Sequence, residues 1–399
     1  MSISSGISGS PKPGATRRLV DAPTMASSSK SVNFGLSFSF KSVQNDFHKM
    51  GEYILSRPTI ADLAKAANVG ISTVDRVLNG RQPVRPKTAD LVLEAAERIG
   101  FHGLTAIKRR IEADKPVIKF GFLLKQQHRK LYQMWSELLT RSVEAFPDAH
   151  GRAIVRFMDD LSPDRAAAAI HALSREADVI GMITSDHPQV NHAIADLSAD
   201  GIPVVTMISD VSAPERAGFV GNDCAKKGRT AAWFIAHLNS KPGEVAVYVG
   251  SHRYLAQELC EMGFRSYFRE AAPKFQMLET LATMEEPESA YQFTKRLLAS
   301  QDRWVGLYVA GGGVTGVMRA LREDRSPKAQ RLVVVAHELT NETRAGLAEG
   351  LLKAVLSHPA RQLTETLVRT MGDAVLNRVD SFPMTQTLLP FEIYTAENI

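Results

Sequence analysis

The chain has 399 residues, of which 44% are hydrophobic and 23% charged, with a net charge of +5 and 2 cysteines. Its length allows one small and one large domain with substantial cores. No apolar run reaches the roughly 18–20 residues that cross a bilayer, and Cys224 and Cys260 are too few for a disulfide framework, so a cytoplasmic protein without membrane partners is expected. The mild basic excess admits nucleic acid without requiring it.

Residues 1–55 are rich in Ser and Gly, with Arg17, Arg18 and Lys30 scattered among them and no apolar core of an export signal. They are expected to be a disordered tail or a misassigned start preceding Met50. From Arg57 the pattern becomes helical. Ile60, Leu63, Ala64 and Ala67 line one face, Thr59 stands as N-cap with Asp62 three residues on, and Asn68 and Gly70 stop the helix. A second short helix starts at Ser72 or Thr73, turns Val74, Val77 and Leu78 inward, and ends at Asn79 and Gly80. Pro86 opens a third, with Leu91, Val92, Ala95, Ala96 and Ile99 as its buried stripe and Gly100 as its end. These helices make an expected small all-α domain over 56–103. Residues 104–116, with Lys108, Arg109, Arg110 and Lys115, read as a hinge or linker.

From Val117 onward, apolar runs alternate with amphipathic helices. The runs are Val117–Leu124, Ala153–Met158, Val179–Thr184, Pro203–Ile208, Glu244–Val249, Trp304–Val309 and Leu332–Ala336. Continuous apolar strands separated by helices predict βαβ units and parallel sheets covered on both faces. Residues 117–399 are too many for one compact sheet, so two α/β lobes are expected, with a cleft at the carboxyl ends of the strands. The expected lobes are 117–221 plus 358–384, and 222–357 plus 385–399.

The two helices from Thr59 to Gly80, joined by a three-residue turn, form a helix-turn-helix whose second helix fits a major groove. Ala64, Val69, Val74 and Val77 fix the interhelical angle, leaving Ile71, Ser72, Thr73, Asp75 and Arg76 outward. Arg76 suits guanine O6 and N7, and Ser72 and Thr73 reach phosphate or base edges. Residues 57–115 hold 11 Lys or Arg against 7 Asp or Glu, concentrating the positive charge where phosphates would need it. This segment resembles the head of the lactose-repressor (LacI/GalR) family: a Thr-hydrophobe-x-Asp-hydrophobe-Ala opening, then Ser-Thr-Val-x-Arg-Val-hydrophobe-Asn, then Val84 to Thr88 and Ile99 to Phe101. The resemblance implies that Ile71 and Ser72 specify bases, that Arg76 makes an adjacent base contact, and that Asn79 and Thr88 grip phosphates; Thr59 belongs to the same set. Asp75 replaces the family's usual Ser and is expected to restrain Arg76 or accept from a cytosine N4. The family's minor-groove wedge falls to Ile107 or Ile111, with Lys108 and Arg109 on phosphates.

The remainder resembles the family's periplasmic-binding-protein-like sensor (type I) domain through Phe219 to Asp223, Val333 to Glu338 and Gly346 to Pro359. That implies a homodimer on a palindromic operator, controlled by a sugar, cyclitol or sugar acid and most simply repressing a carbohydrate uptake or catabolic operon. The expected effector contacts are Gln126, Asp210, Asn222, Asp223, Arg253 and Glu338, with Asp186 a further candidate and Tyr132 and Trp135 as a lid. Glu338 matches the family's hydroxyl-binding Asp; Asp223 has helix capping as its alternative role. Departures at Cys260, Gly311–Gly313 and Ser357 leave the ligand open. An export-dependent solute receptor or a sugar-phosphate enzyme using Gly311–Gly313 are the rival readings. Without a P-loop Lys, a dinucleotide fingerprint or His/Cys metal spacing, no catalytic group, cofactor or metal is expected.

Overall fold

A computed structural model describes residues 57–80, 84–300, 303–377 and 384–399, so the expected tail at 1–55 lies outside the described residues. The chain divides into two compact units between Lys108 and Arg109. In the first, α1 (Ile60–Ala66), α2 (Ile71–Asn79) and α3 (Pro86–Ile99) enclose Leu63, Val74, Val77, Val92 and Ala96. The second helix begins one residue earlier than Ser72, with Gly70 as N-cap. Gly80 and Gly100 end α2 and α3 at φ 63° and 65°, a left-handed cap that glycine enters without a Cβ clash. The expected linker is instead mostly helical, as α4 (Leu104–Ala113), within which the division between units falls.

The second unit holds two parallel sheets. The first lobe takes β1 (Val117–Lys125), α5 (Lys130–Glu144), β2 (His150–Met158), α6 (Pro163–Ser174), β3 (Val179–Met182), α7 (Pro188–Ala199), β4 (Val204–Met207) and β5 (Gly218–Asn222). The second takes α8 (Cys224–Leu238), β6 (Glu244–Val249), α9 (Leu255–Ala271), β7 (Gln276–Met277), β8 (Leu281–Ala282), α10 (Pro287–Ser300) and β9 (Trp304–Val309). It continues with α11 (Val314–Asp324), α12 (Pro327–Arg331), β10 (Val333–His337), α13 (Asn341–Ala348) and β11 (Ala354–Ser357). The chain then returns through α14 (Ala360–Leu376) and β12 (Thr385–Leu389) and crosses once more to β13 (Glu392–Tyr394).

Strand order is β12-β5-β4-β3-β1-β2 in one sheet and β13-β11-β10-β9-β6-β7 in the other, with β8 beside β6. Thr385–Leu389 therefore pairs in parallel with Gly218–Asn222 of the first lobe. This corrects the expected lobe boundary, which gave 385–399 entirely to the second: β12 adds a largely exposed edge strand beside β5 before the last crossover. Leu363, Leu367, Val368 and Met371 of α14 pack on the first sheet with Trp135, Phe120 and Leu389, so the returning segment completes that core. Every expected apolar run lies on a strand; β5, β7, β8, β11, β12 and β13 were not among them.

Candidate functional site

In the first unit the capping box is present. The Thr59 hydroxyl oxygen accepts from the Asp62 N–H at 3.3 Å, and the Thr59 N–H donates to the Asp62 carboxylate at 2.9 Å. These bonds hold the Asp62 carboxyl below its ordinary value. Thr59 is thus committed to starting α1, and any contact with DNA would be added to that task. Arg98 of α3 donates to the Ala66 carbonyl at 2.5 Å, locking the end of α1. With Val74 and Val77 buried, α2 turns Ser72, Arg76, Asn79 and Ile71 outward. Ile71 is 58% exposed, an apolar side chain placed where burial would ordinarily be expected.

Thr73 and Thr88 are half-buried at the edges of this surface. Asp75 is engaged elsewhere than on Arg76: its carboxylate accepts from the Asn79 amide at 2.6 Å, one helical turn away. Lys108 pairs with Glu97 at 2.7 Å, and Arg109 is exposed. Ile107 is fully buried, which removes it as a wedge in this conformation; Ile111 is half-buried.

In the second unit a cleft of about 380 Å³ opens between the lobes at the carboxyl ends of the strands. Lys125 ends β1 and is 3% exposed, its ammonium 3.8 Å from the centre of the Tyr254 ring. Glu285, also buried, draws together both lobes: Arg129 lies 3.5 Å and Lys125 4.0 Å from its carboxylate, while Gln257 donates to it at 2.7 Å. Burial pushes the Glu285 carboxyl up, but Lys125, Gln257 and Arg129 outweigh that and keep it ionised. A Cβ at Gly312 would collide with this carboxylate, so the glycine run makes room for an internal anion. Among the described residues, no group of His, Cys, Asp and Glu has the arrangement of a metal site.

At the opposite wall, Glu338 faces Lys227 at 3.7 Å and accepts from His358 Nδ1 at 2.6 Å. Burial raises the Glu338 carboxyl, yet His358 and Lys227 hold it at about 2. Burial and Lys227 keep the His358 imidazole below its usual value despite Glu338, so it is neutral. With Nδ1–H given to Glu338, the buried Nε2 is an acceptor with no hydrogen-bond partner. Ile208, Glu285 and Glu338 line the cleft at φ 67°, 62° and 61°. Such left-handed backbone costs a non-glycine residue about 1–3 kcal/mol and persists where surrounding structure imposes it, commonly at ligand sites.

Of the six expected effector contacts, only Glu338 lines this cleft. Asp210 is taken up by Thr206 at 2.7 Å and Arg216 at 2.8 Å. Asp223 caps α8 through the Lys226 N–H at 3.0 Å, its alternative role. Asn222 donates to the Leu389 carbonyl at 3.0 Å and so ties β5 to β12. Arg253 is exposed and meets the other lobe only through its carbonyl, which accepts from the Asp186 N–H at 2.8 Å. The Asp186 carboxylate accepts from Ser212 and Asn191. Gln126 is buried one residue past β1, outside the lining. Tyr132 lines the cleft, whereas Trp135 is buried in the core beneath it.

The residues missed were Lys125, Arg129, Lys227, Tyr254, Glu285 and His358. Two left a signal: Lys125 follows the longest apolar run directly, and His358 stands between a strand and Pro359.

Residues 133–378 match the model of the periplasmic binding protein domain, and residues 59–103 match that of bacterial regulatory proteins of the lacI family. Catabolite control protein A of Priestia megaterium is 28% identical over 38% of this chain and 43% of its own length. Catabolite control protein A of Staphylococcus xylosus is 26% identical over 51% and 63%. The chain spans about half the length of the curated relatives it matches. Among solved structures, an ABC transporter solute binding protein from Agrobacterium vitis with bound D-fucose superposes with TM-score 0.62 at 18% identity, covering 70% of this chain and 96% of that one. A solute binding protein from Bacillus halodurans with bound myo-inositol gives TM-score 0.62 at 17% identity, covering 71% and 96%. These likenesses carry the two-lobed fold.

Proposed function

Because the chain belongs to the periplasmic binding protein domain family and carries a lacI-family regulatory head, we propose that it is a sequence-specific DNA-binding transcription regulator controlled by a small polyol. The observation that carries this reading is the pairing of two surfaces in one chain. One is a helix-turn-helix with Ile71, Ser72 and Arg76 exposed on its second helix; the other is a charged, partly enclosed interlobe cleft.

A helix of this size enters a major groove, where Arg76 reads guanine and Ser72 and Thr73 reach base edge or phosphate. Asn79, Thr88, Lys108 and Arg109 are assigned to phosphates, Asn79 after giving up Asp75. Two copies on a palindromic operator double this contact set, so the protein acts as a homodimer in the compartment that holds DNA. It represses a carbohydrate uptake or catabolic operon, and no enzymatic step is assigned to it.

The cleft favours a neutral hydroxyl-rich ligand. Its charges nearly cancel, Lys125 and Arg129 against Glu285 and Lys227 against Glu338, so it offers donors and acceptors with a single net positive charge among them. His358 Nε2 accepts a hydroxyl, and Tyr132 and Tyr254 cover an apolar ring face. A ligand that bridges the lobes shifts the closed population, and operator affinity changes only by its differential binding to the two states, typically about 1–3 kcal/mol.

The test pairs a thermal-shift screen of sugars, cyclitols and sugar acids on the full chain with selection of bound genomic fragments. A ligand at about 100 times its Kd should add about 2.7 kcal/mol of stability and change operator retention. Absence of any salt-sensitive fragment preference, with or without those compounds, overturns the reading.

A further inference from the structure

The chain's 2 cysteines, Cys224 and Cys260, are free and both line the cleft. They come from different helices, brought together by a glycine crossing. A Cβ at Gly228 of α8 would collide with the Cys260 carbonyl, and one at Gly263 of α9 with the Ala225 carbonyl. The two backbones are therefore in van der Waals contact. Cys224 lies one turn from Gly228, and Cys260 one turn from Gly263, so a thiol flanks the crossing on each helix. Each thiol is close enough to the other to bear on its ionisation. A disulfide needs Cα atoms within about 7 Å, which suits helices packed this closely.

A buried thiol in apolar surroundings is inert, but these two stand beside the Lys227 ammonium. Burial pushes the Cys260 thiol up; the Cys224 S–H, Lys227 and the Tyr308 hydroxyl outweigh it and bring it below the ordinary thiol value. Contact with the Cys260 thiol and burial hold Cys224, whose S–H the Asn222 carbonyl accepts at 3.6 Å, well above it. One sulfur is thus the better nucleophile and the other a protonated neighbour ready to resolve it.

We propose that Cys224 and Cys260 form an oxidisable dithiol in the cleft wall, taking two-electron oxidants of the peroxide class that enter through the cleft. The Cys260 thiolate attacks one peroxide oxygen, and the O–O bond breaks. The departing hydroxide takes the proton that Cys260 released on ionising, which gives water and a Cys260 sulfenic acid. The Cys224 sulfur then attacks the Cys260 sulfur. The S–O bond breaks, the hydroxide leaves with the Cys224 proton as a second water, and the S–S bond forms. Two thiols and one hydrogen peroxide give one disulfide and two waters. The bond staples α8 to α9 in the lobe that also carries Lys227 and Glu338, which places oxidant and ligand on the same element.

The experiment uses the reduced full chain, freed of reductant, exposed to hydrogen peroxide and then denatured in an alkylating reagent for intact-mass and peptide analysis. The expected product has lost the mass of two hydrogen atoms, falls from two alkylatable thiols per chain to none, and yields a Cys224–Cys260 cross-linked peptide that dithiothreitol reverses. In Cys224→Ser the Cys260 sulfenic acid should persist and react with a dimedone-type probe. Two alkylatable thiols retained after peroxide, oxidation that occurs only once the chain is unfolded, or cross-links joining two chains would each overturn the proposal. None of these outcomes depends on DNA or effector binding, so the proposal stands or falls apart from the regulatory reading.

Discussion

The head and the cleft use polar residues in opposite ways. On α2, Ser72, Arg76 and Asn79 point to solvent, and the core behind them is purely apolar. In the cleft, Lys125, Lys227 and Glu285 are buried, Glu338 is half-buried, and all are held by one another, with His358 closing the second pair. A side chain in the head can be lost without disturbing the fold, whereas a side chain in the cleft leaves a charged partner stranded. Position and function separate cleanly in the first region and are fused in the second.

The sharpest way to break this contrast is Glu338→Ala. Lys227 is 1% exposed, so loss of its carboxylate leaves a buried ammonium uncompensated, a change that costs about 3–5 kcal/mol. All 3 tryptophans, Trp135, Trp233 and Trp304, lie in the second unit, so their fluorescence in a urea titration reports that unit alone. The double replacement Lys227→Met with Glu338→Leu should recover most of the loss. A single variant as stable as the parent would show that the pair is solvated in practice. Arg76→Ala is the counterpart in the head. It should weaken operator binding by about 1–3 kcal/mol and relax preference at one base pair, with the tryptophan-reported urea midpoint unmoved. A shift in that midpoint would deny the independence of the two regions.

This contrast also explains what the sequence disclosed. Helix signals are local: Thr59 with Asp62, Gly80 and Gly100 announce caps within four residues of the turn they serve, and the head's elements came out nearly residue for residue. Apolar runs announced the central strands for the same reason. The cleft residues are assembled by three crossovers from strands far apart in the chain, and no local pattern distinguishes Lys227 from Lys226 beside it, which pairs at the surface with Asp223. Carboxylates chosen for chemical type alone fall outside the cleft lining: Asp210 serves Arg216 and Asp223 serves a helix terminus. Glu338, which does line the cleft, sits directly at a strand end, where the fold rule places ligands. β12 went unassigned because Thr385–Leu389 borrows its partner from residues far earlier in the chain.

pH offers a further test on the cleft side. His358 is buried and His337 half-buried, and loss of hydration keeps both neutral, with values below the ordinary imidazole. Folded chain therefore binds fewer protons than unfolded chain below about pH 6.5, and stability must fall as pH descends through that point. Glu338 adds a further loss between its unfolded value near 4.5 and about 2. The expected slope is on the order of 1 kcal/mol per pH unit for each imidazole, read from the tryptophan-reported midpoint. His358→Gln should flatten it, and a profile level from pH 7 to 5 would mean that these imidazoles charge freely in the folded state.

The smallest effect, and the most discriminating for the head, concerns Asp75. Its carboxylate holds the Asn79 amide at 2.6 Å, one turn along α2. In the proposed complex this does two unfavourable things: it occupies the amide assigned to a phosphate and brings negative charge towards phosphates. Asp75→Ser should release Asn79 and tighten operator binding by about 0.5–1 kcal/mol, the scale of one modest hydrogen bond. Because one anion leaves the interface, the dependence of log affinity on log salt should steepen by about 0.9. If affinity falls instead, with the salt slope unchanged and preference altered at one base pair, then the carboxylate lets Asn79 go on binding and accepts from a cytosine N4. The two outcomes differ in the sign of the affinity change and in the salt slope, so a single titration series across salt concentrations separates a restraint on Asn79 from a reader of sequence.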